Sequence, residues 1–295
     1  MPSPEMTATL AALRAKPASF PDDVIEARAA IEELMGATPL AVGTTTEWTT
    51  IAGRPSLWVR PEMGDASRAV LYLHGGGYRV GSPRAYQGFV STMAAAVGAP
   101  FLVPDYRLAP EHPFPAALDD AVAAYRTLLD HGYAAGQLAI AGDSAGGGLA
   151  AAALLGIRFG RLPQPAAAVC LSPWADLTVT AGAYERNAAT DPFFNARLAR
   201  EAAADYLGGE QPGNPLASPV FGDFGGLAPV LIHAADCEVL ADDAIALAAA
   251  VNEGGEVRAE LWPDMLHVWH SMTPLVPEAR EAVAKVADWL KSHWA

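Results

Sequence analysis

Leu138-Ala139-Ile140-Ala141 runs directly into Gly142-Asp143-Ser144-Ala145-Gly146, and an Ala- and Leu-rich stretch follows. A short apolar run, a glycine-flanked turn and a helix-forming stretch read as strand, elbow and helix. A serine on such an elbow is held on a strained backbone with its hydroxyl clear of the main chain. Glycines two positions to either side are needed because a Cβ there would meet the neighbouring strand or helix. The helix N-terminus adds partial positive charge where an oxyanion would form. Five residues of this form also arise by chance as a plain turn in a Gly- and Ala-rich chain. The strand-to-helix context favours a serine nucleophile, Ser144.

A second motif strengthens that reading. His74-Gly75-Gly76-Gly77 follows the apolar run Ala69-Val70-Leu71-Tyr72-Leu73. Three glycines after a strand let the backbone turn sharply and present bare N–H groups to a ligand oxygen. A tetrahedral intermediate needs two or three such donors about 3 Å from its developing charge.

Around these motifs, short apolar runs alternate with helical patterns. Strands are expected at 47–51, 57–59, 69–73, 101–104, 138–141, 167–171, 230–234 and 258–262. Helices are expected at 84–97, 116–130, 145–159, 241–253 and 278–292. That alternation predicts an α/β fold, a mostly parallel eight-stranded sheet flanked by helices. The first two strands lack an intervening helix and predict an antiparallel hairpin at one edge. Residues 1–45, with helical patterns at 6–15 and 22–35, and residues 178–225, with one at 195–207, break the rhythm. They are read as the two parts of one helical cap over the C-terminal strand ends, where open α/β sheets place ligands. The core is then 46–177 and 226–295.

The 295 residues are 52% hydrophobic and 18% charged, enough apolar material for a large core and against disorder. A formal net charge of −14 disfavours nucleic acid and anionic lipid as partners, because both require basic surfaces. Cys170 falls in a strand-like run, and Cys237 lacks metal or redox spacing, so both are expected as reduced thiols. No apolar stretch has signal-peptide or membrane-spanning length, and a cytoplasmic location is expected.

His74-Gly-Gly-Gly, Asp105-Tyr106-Arg107-Leu108-Ala109-Pro110-Glu111, Phe114-Pro115-Ala116-Ala117, Gly142-Asp-Ser-Ala-Gly-Gly and Ser172-Pro173-Trp174-Ala175-Asp176-Leu177 occur in this order. Together they resemble the hormone-sensitive-lipase-like family of bacterial carboxylesterases, from about residue 40 onward. The resemblance implies an α/β-hydrolase fold, a helical cap, no cofactor, and hydrolysis of esters with short to medium acyl chains. It also makes a homodimer through the last strand plausible.

Serine needs a base, and histidine is the usual one. In this fold the chain order is serine, acid, histidine, with the histidine after the last strand. That sets aside His74, His112 and His131, which precede Ser144. His233 lies inside an expected strand and His293 at a helix end. Met265-Leu266-His267-Val268-Trp269 resembles the family's block, so His267 is the expected base and His270 a partly exposed neighbour. The acid stays open between two residues. Glu238-Val239-Leu240-Ala241-Asp242 matches the family frame acid-x-Leu-x-Asp and favours Glu238, although the commoner acid is Asp. Asp236 fits chemically with a shift of the loop. Asp242 and Asp243 read as helix-start carboxylates.

The oxyanion donors are expected from Gly76, Gly77 and Ala145. Asp143 and His74 are expected to brace the loops, Arg107 and Glu111 to form an ion pair, and Trp174, Phe193, Phe194 and Trp269 to be pocket wall or core. The leading expectation is a carboxylesterase, with acyl chains of about four to eight carbons best accommodated under the cap. An amidase or arylformamidase with the same residues, and a non-catalytic small-molecule receptor of the same fold, are the alternatives.

Overall fold

In a computed structural model, residues 2–15 and 21–294 are described. Residues 16–20 of the expected cap, and the two terminal residues, lie outside the described residues. The elements in chain order are α1 (Pro4–Ala15), α2 (Val24–Gly36), β1 (Thr44–Ile51), β2 (Arg54–Pro61), β3 (Ala69–Leu73), α3 (Pro83–Val97), β4 (Phe101–Pro104), α4 (Ala116–Asp130), β5 (Leu138–Asp143), α5 (Ala145–Phe159), β6 (Ala167–Leu171), α6 (Ala183–Arg186), α7 (Ala196–Leu207), β7 (Val230–Ala235), α8 (Ala241–Asn252), β8 (Val257–Trp262) and α9 (Pro277–His293).

The eight strands lie in the order β1-β2-β4-β3-β5-β6-β7-β8. β2 is antiparallel to β1 and β4, and the other neighbouring pairs are parallel. Every residue of β3, β5, β6 and β7 is buried. Parallel strands covered on both faces need continuous apolar runs, which is what these segments carry. Alternate side chains divide between two cores. Leu71, Leu73, Ile140 and Cys170 pack with α4, α5 and α8; Val70, Tyr72, Ala141 and Val169 pack with α3 and α9.

The expected hairpin lies at one edge, closed by Ala52 (φ 51°) and Gly53 (φ 77°). Two left-handed residues match the twist of the flanking strands. β1 starts at Thr44, earlier than expected, because Thr44, Thr45 and Thr46 pair with Pro61, Arg60 and Val59. The short α6 was not anticipated. Met6 and Leu10 of α1 pack on Val276, Ala279 and Ala282. Ile31 and Met35 of α2 pack on the α3 side, and Ala199, Ala203 and Tyr206 of α7 join the α4–α5 core. Among the described residues no helix is long and apolar enough to cross a membrane.

After β3 the chain passes through α3 to β4, then returns so that β5 lies on the other side of β3. Loops leaving the two strands therefore diverge and open a crevice at their C-terminal ends, the position where such sheets bind ligands.

Candidate active site

Two motifs line this crevice: the glycine loop leaves β3 and the elbow leaves β5. Ser144 sits at φ 53°, ψ −124°. Such a backbone costs on the order of 1–3 kcal/mol and persists only when its surroundings enforce it. Here Ser144 N donates to Leu171 O (2.8 Å), and Ser144 O accepts from Trp174 N (2.9 Å) and Gly147 N (3.0 Å). A Cβ on Gly146 would strike Leu73 O and His74 O, and one on Gly142 would strike Gly146 O. Only glycines let α5 start this close to β3.

His267, on the turn after β8, places Nε2 3.0 Å from Ser144 Oγ and Nδ1 2.8 Å from Glu238 Oε2. An ionised carboxylate only accepts, so Nδ1–H donates to Glu238 and Nε2 is left to accept the serine proton. The other Glu238 oxygen accepts from Ala235 N (3.2 Å), and the side chain is buried. Burial raises the Glu238 carboxyl above its ordinary range, partly offset by the His267 hydrogen bond. Burial also works against the His267 cation, but the hydrogen bond and charge of Glu238, with Asp191 and Asp143, hold its pKa above the ordinary value.

Asp236 is engaged elsewhere. Its main-chain N donates to Trp262 O (3.0 Å), and its Oδ1 accepts from Asp264 N (2.8 Å). The structure thus brings Ser144, His267 and Glu238 together and turns Asp236 toward the end of β8.

Gly76 (φ 115°) and Gly77 (φ 61°) take conformations that side chains rarely adopt. Among the described residues no carbonyl accepts from the N–H of Gly76, Gly77 or Ala145. Asp143 braces this loop: Oδ1 accepts from Gly75 N (3.0 Å) and Tyr72 Oη (2.8 Å), and Oδ2 from Tyr86 Oη (3.2 Å). Burial lifts the Asp143 carboxyl to about 6 despite these donors. His74 stacks on Tyr106 at 4.3 Å, and its Nδ1 lies 2.7 Å from Gly75 O. Burial lowers its pKa to about 4, so the ring is neutral and Nδ1–H donates.

The added segments reach the same loops. Arg28 of α2 donates to Arg79 O (2.7 Å), and Arg79 pairs with Asp205 of α7 (2.8 Å). Tyr78 stacks on Tyr206 at 3.7 Å. Phe194 lies parallel to the His267 ring at 6.4 Å and edge-on to Trp174 at 5.6 Å. Phe193 and Trp269 pack instead in the separate core beneath α1.

Several expectations are corrected. His270 is fully buried rather than partly exposed; it faces His233 (3.2 Å) beneath Trp269, and burial holds its pKa well below the ordinary value. Arg107 does not pair with Glu111. It makes a forked contact to Asp120 (2.7 and 2.9 Å), one helix turn into α4, while Glu111 takes Arg28 (2.7 Å). Asp242 and Asp243 do open α8, but they also tie neighbouring segments. Asp242 binds Arg186, and buried Asp243 accepts from Ala175 N and Asp176 N. Asp191, Asn187 and Ser172 stand near the site and were not singled out; an Asp before Pro192 reads in sequence only as a turn. Among the described residues no cluster of His, Cys, Asp or Glu is placed to hold a metal.

A family model described as the alpha/beta hydrolase fold matches residues 70–271. An acetyl-hydrolase of Streptomyces hygroscopicus is 48% identical across 80% of this chain and 79% of its own length. An ethyl acetate hydrolase of Pseudomonas putida is 33% identical across 79% of this chain and 77% of its own. A solved esterase of the bacterial hormone-sensitive lipase family superposes with a TM-score of 0.95 at 40% identity, covering 100% of both chains. The chain belongs to the α/β-hydrolase family, in its bacterial hormone-sensitive-lipase-like branch.

Proposed function

We propose that this protein hydrolyses carboxylic esters of short to medium acyl chain through an acyl-enzyme formed on Ser144. The hydrogen-bonded line from Glu238 through His267 to Ser144 Oγ carries this reading. Ser144 attacks the ester carbonyl as His267 Nε2 takes its proton, and Glu238 holds the imidazole and stabilises its cation. The N–H groups of Gly76, Gly77 and Ala145 receive the oxyanion. His267 then protonates the departing alcohol and activates the water that releases the acid. Residues 1–45 and 178–225 act together as a cap, a role supported by the reach of Arg28 and Asp205 to the glycine loop. The names of the relatives, acetyl-hydrolase and ethyl acetate hydrolase, support the short end of the acyl range. The two free thiols, one buried, support a cytoplasmic setting.

The test is a panel of p-nitrophenyl esters from acetate to palmitate beside an aryl amide, with Ser144→Ala as control. Turnover should be greatest at short to medium chains and fall on the order of 10³-fold or more in the variant. A monotonic rise through palmitate, preference for the amide, or more than a tenth of wild-type turnover in the variant overturns the reading.

A further inference from the structure

The segment following α6 folds back onto the loop that carries Glu238. Asn187 Nδ2 donates to both Asp236 O (2.9 Å) and Glu238 O (2.7 Å), and Thr190 Oγ1 donates to Cys237 O (2.8 Å). Asp191 completes the clamp. Its Oδ2 accepts from Val239 N (3.0 Å), next to Glu238, while Oδ1 accepts from Phe193 N (2.9 Å) and Phe194 N (3.1 Å). The residue is 8% exposed, so its three main-chain donors work with little competition from water. One carboxylate therefore joins the residue after Glu238 to the phenylalanine whose ring faces His267.

We propose that Asp191, assisted by Asn187, is a positioning residue: it holds the Glu238 loop and Phe194 in register with His267. This inference rests on His267 being the general base of the ester hydrolysis proposed above.

Four charged or titratable groups bear on His267. Glu238 comes from the β7–α8 loop, Asp191 from the segment between α6 and α7, Asp143 from β5, and His270 from the turn after His267. The three carboxyls favour the His267 cation, whereas buried His270 is neutral. A general base works as the neutral imidazole, so kcat/KM rises as pH climbs through the His267 pKa. Removing the Asp191 charge lowers that pKa and moves the acid limb of the profile to lower pH. A purely structural residue would not move it in this way.

The experiment compares wild type, Asp191→Asn and Asn187→Ala on p-nitrophenyl acetate across pH, with circular dichroism to establish folding. Asp191→Asn preserves shape but replaces one acceptor with a donor. It should lower kcat about tenfold with KM within about twofold, as expected for a displaced acid–base pair. Its acid limb should move down by about half a pH unit. Asn187→Ala, which removes no charge, should lower kcat about fivefold with the limb unmoved. Wild-type kcat or an unmoved acid limb in folded Asp191→Asn overturns the inference. If that variant does not fold, wild-type kcat in Asn187→Ala overturns it. A wild-type enzyme inactive on every ester would instead overturn the functional reading.

Discussion

The two carboxylates at 236 and 238 are chemically near-equivalent, and their surroundings separate them. Glu238 turns inward beneath Ala235 N and meets His267 Nδ1, whereas Asp236 accepts from Asp264 N near the surface. Glu238→Ala should therefore lower kcat by about 10³-fold or more, because the imidazole loses both its orientation and its counter-charge. Asp236→Ala should stay within about threefold of wild type, since surface substitutions away from such networks have small effects. Initial rates on p-nitrophenyl butyrate decide this, and a reversed ranking would give the role to Asp236. The sequence named both candidates and its frame favoured Glu238, but which carboxylate meets the His267 ring depends on the fold. Ser144 was legible from five contiguous residues; Asp191 was not, because its bonds to Phe193 and Phe194 read only as a local turn, and its distant partner, Val239, reaches it only through the fold.

At the junction of β3, β5 and α5, three elements meet closer than side chains allow. The Gly146 Cα faces the carbonyls of Leu73 and His74, and Gly148 faces Trp174 O. Backbone atoms bonded into a sheet cannot swing aside as the end of a lysine could. Gly146→Ala should thus destabilise by roughly 1–3 kcal/mol through overpacking, lowering Tm by several degrees in a thermal melt. A variant melting within one degree of wild type would show that the junction has slack. The glycine loop has a comparable dependence on its neighbours. Asp143 holds it from β5, Arg28 from α2 and Asp205 from α7 through Arg79. The expected oxyanion donors are therefore positioned by elements far from them in the chain.

Across the molecule, the order of the strands leaves β1 and β8 as edges. An edge offers unpaired backbone groups to another chain. On β8, Arg258 and Glu260 neutralise one another and Lys285 of α9 joins them at 2.8 Å, while Leu261 is half-exposed. Glu281, 4.0 Å from Lys285, balances the remaining positive charge, and this partly apolar edge beside α9 is suited to pairing with a second copy. Light scattering at micromolar concentration should give twice the chain mass, and a single-chain mass would rule out a stable dimer. The acidic character of the whole, −14 overall, predicts that this association is not driven by attraction between surface charges.

Strands, helices and the elbow were readable from the chain because their signals are local: buried parallel strands need unbroken apolar runs, and a crowded turn needs glycines at set spacings. The α/β sheet, its edge hairpin and Ser144 followed from such patterns. Pairings between distant residues did not. Arg107 meets Asp120 rather than Glu111 because the start of α4 turns Asp120 back toward it, and Glu111 is taken by Arg28 from a helix 83 residues earlier. His270 is buried rather than partly exposed because Trp269 and His233 enclose it once the chain turns after β8. Which carboxylate faces His267, and which segment clamps its loop, depend on how β7, β8 and the residues around 187–194 come together. Side-chain chemistry limits such choices to a few candidates, and packing in three dimensions selects among them.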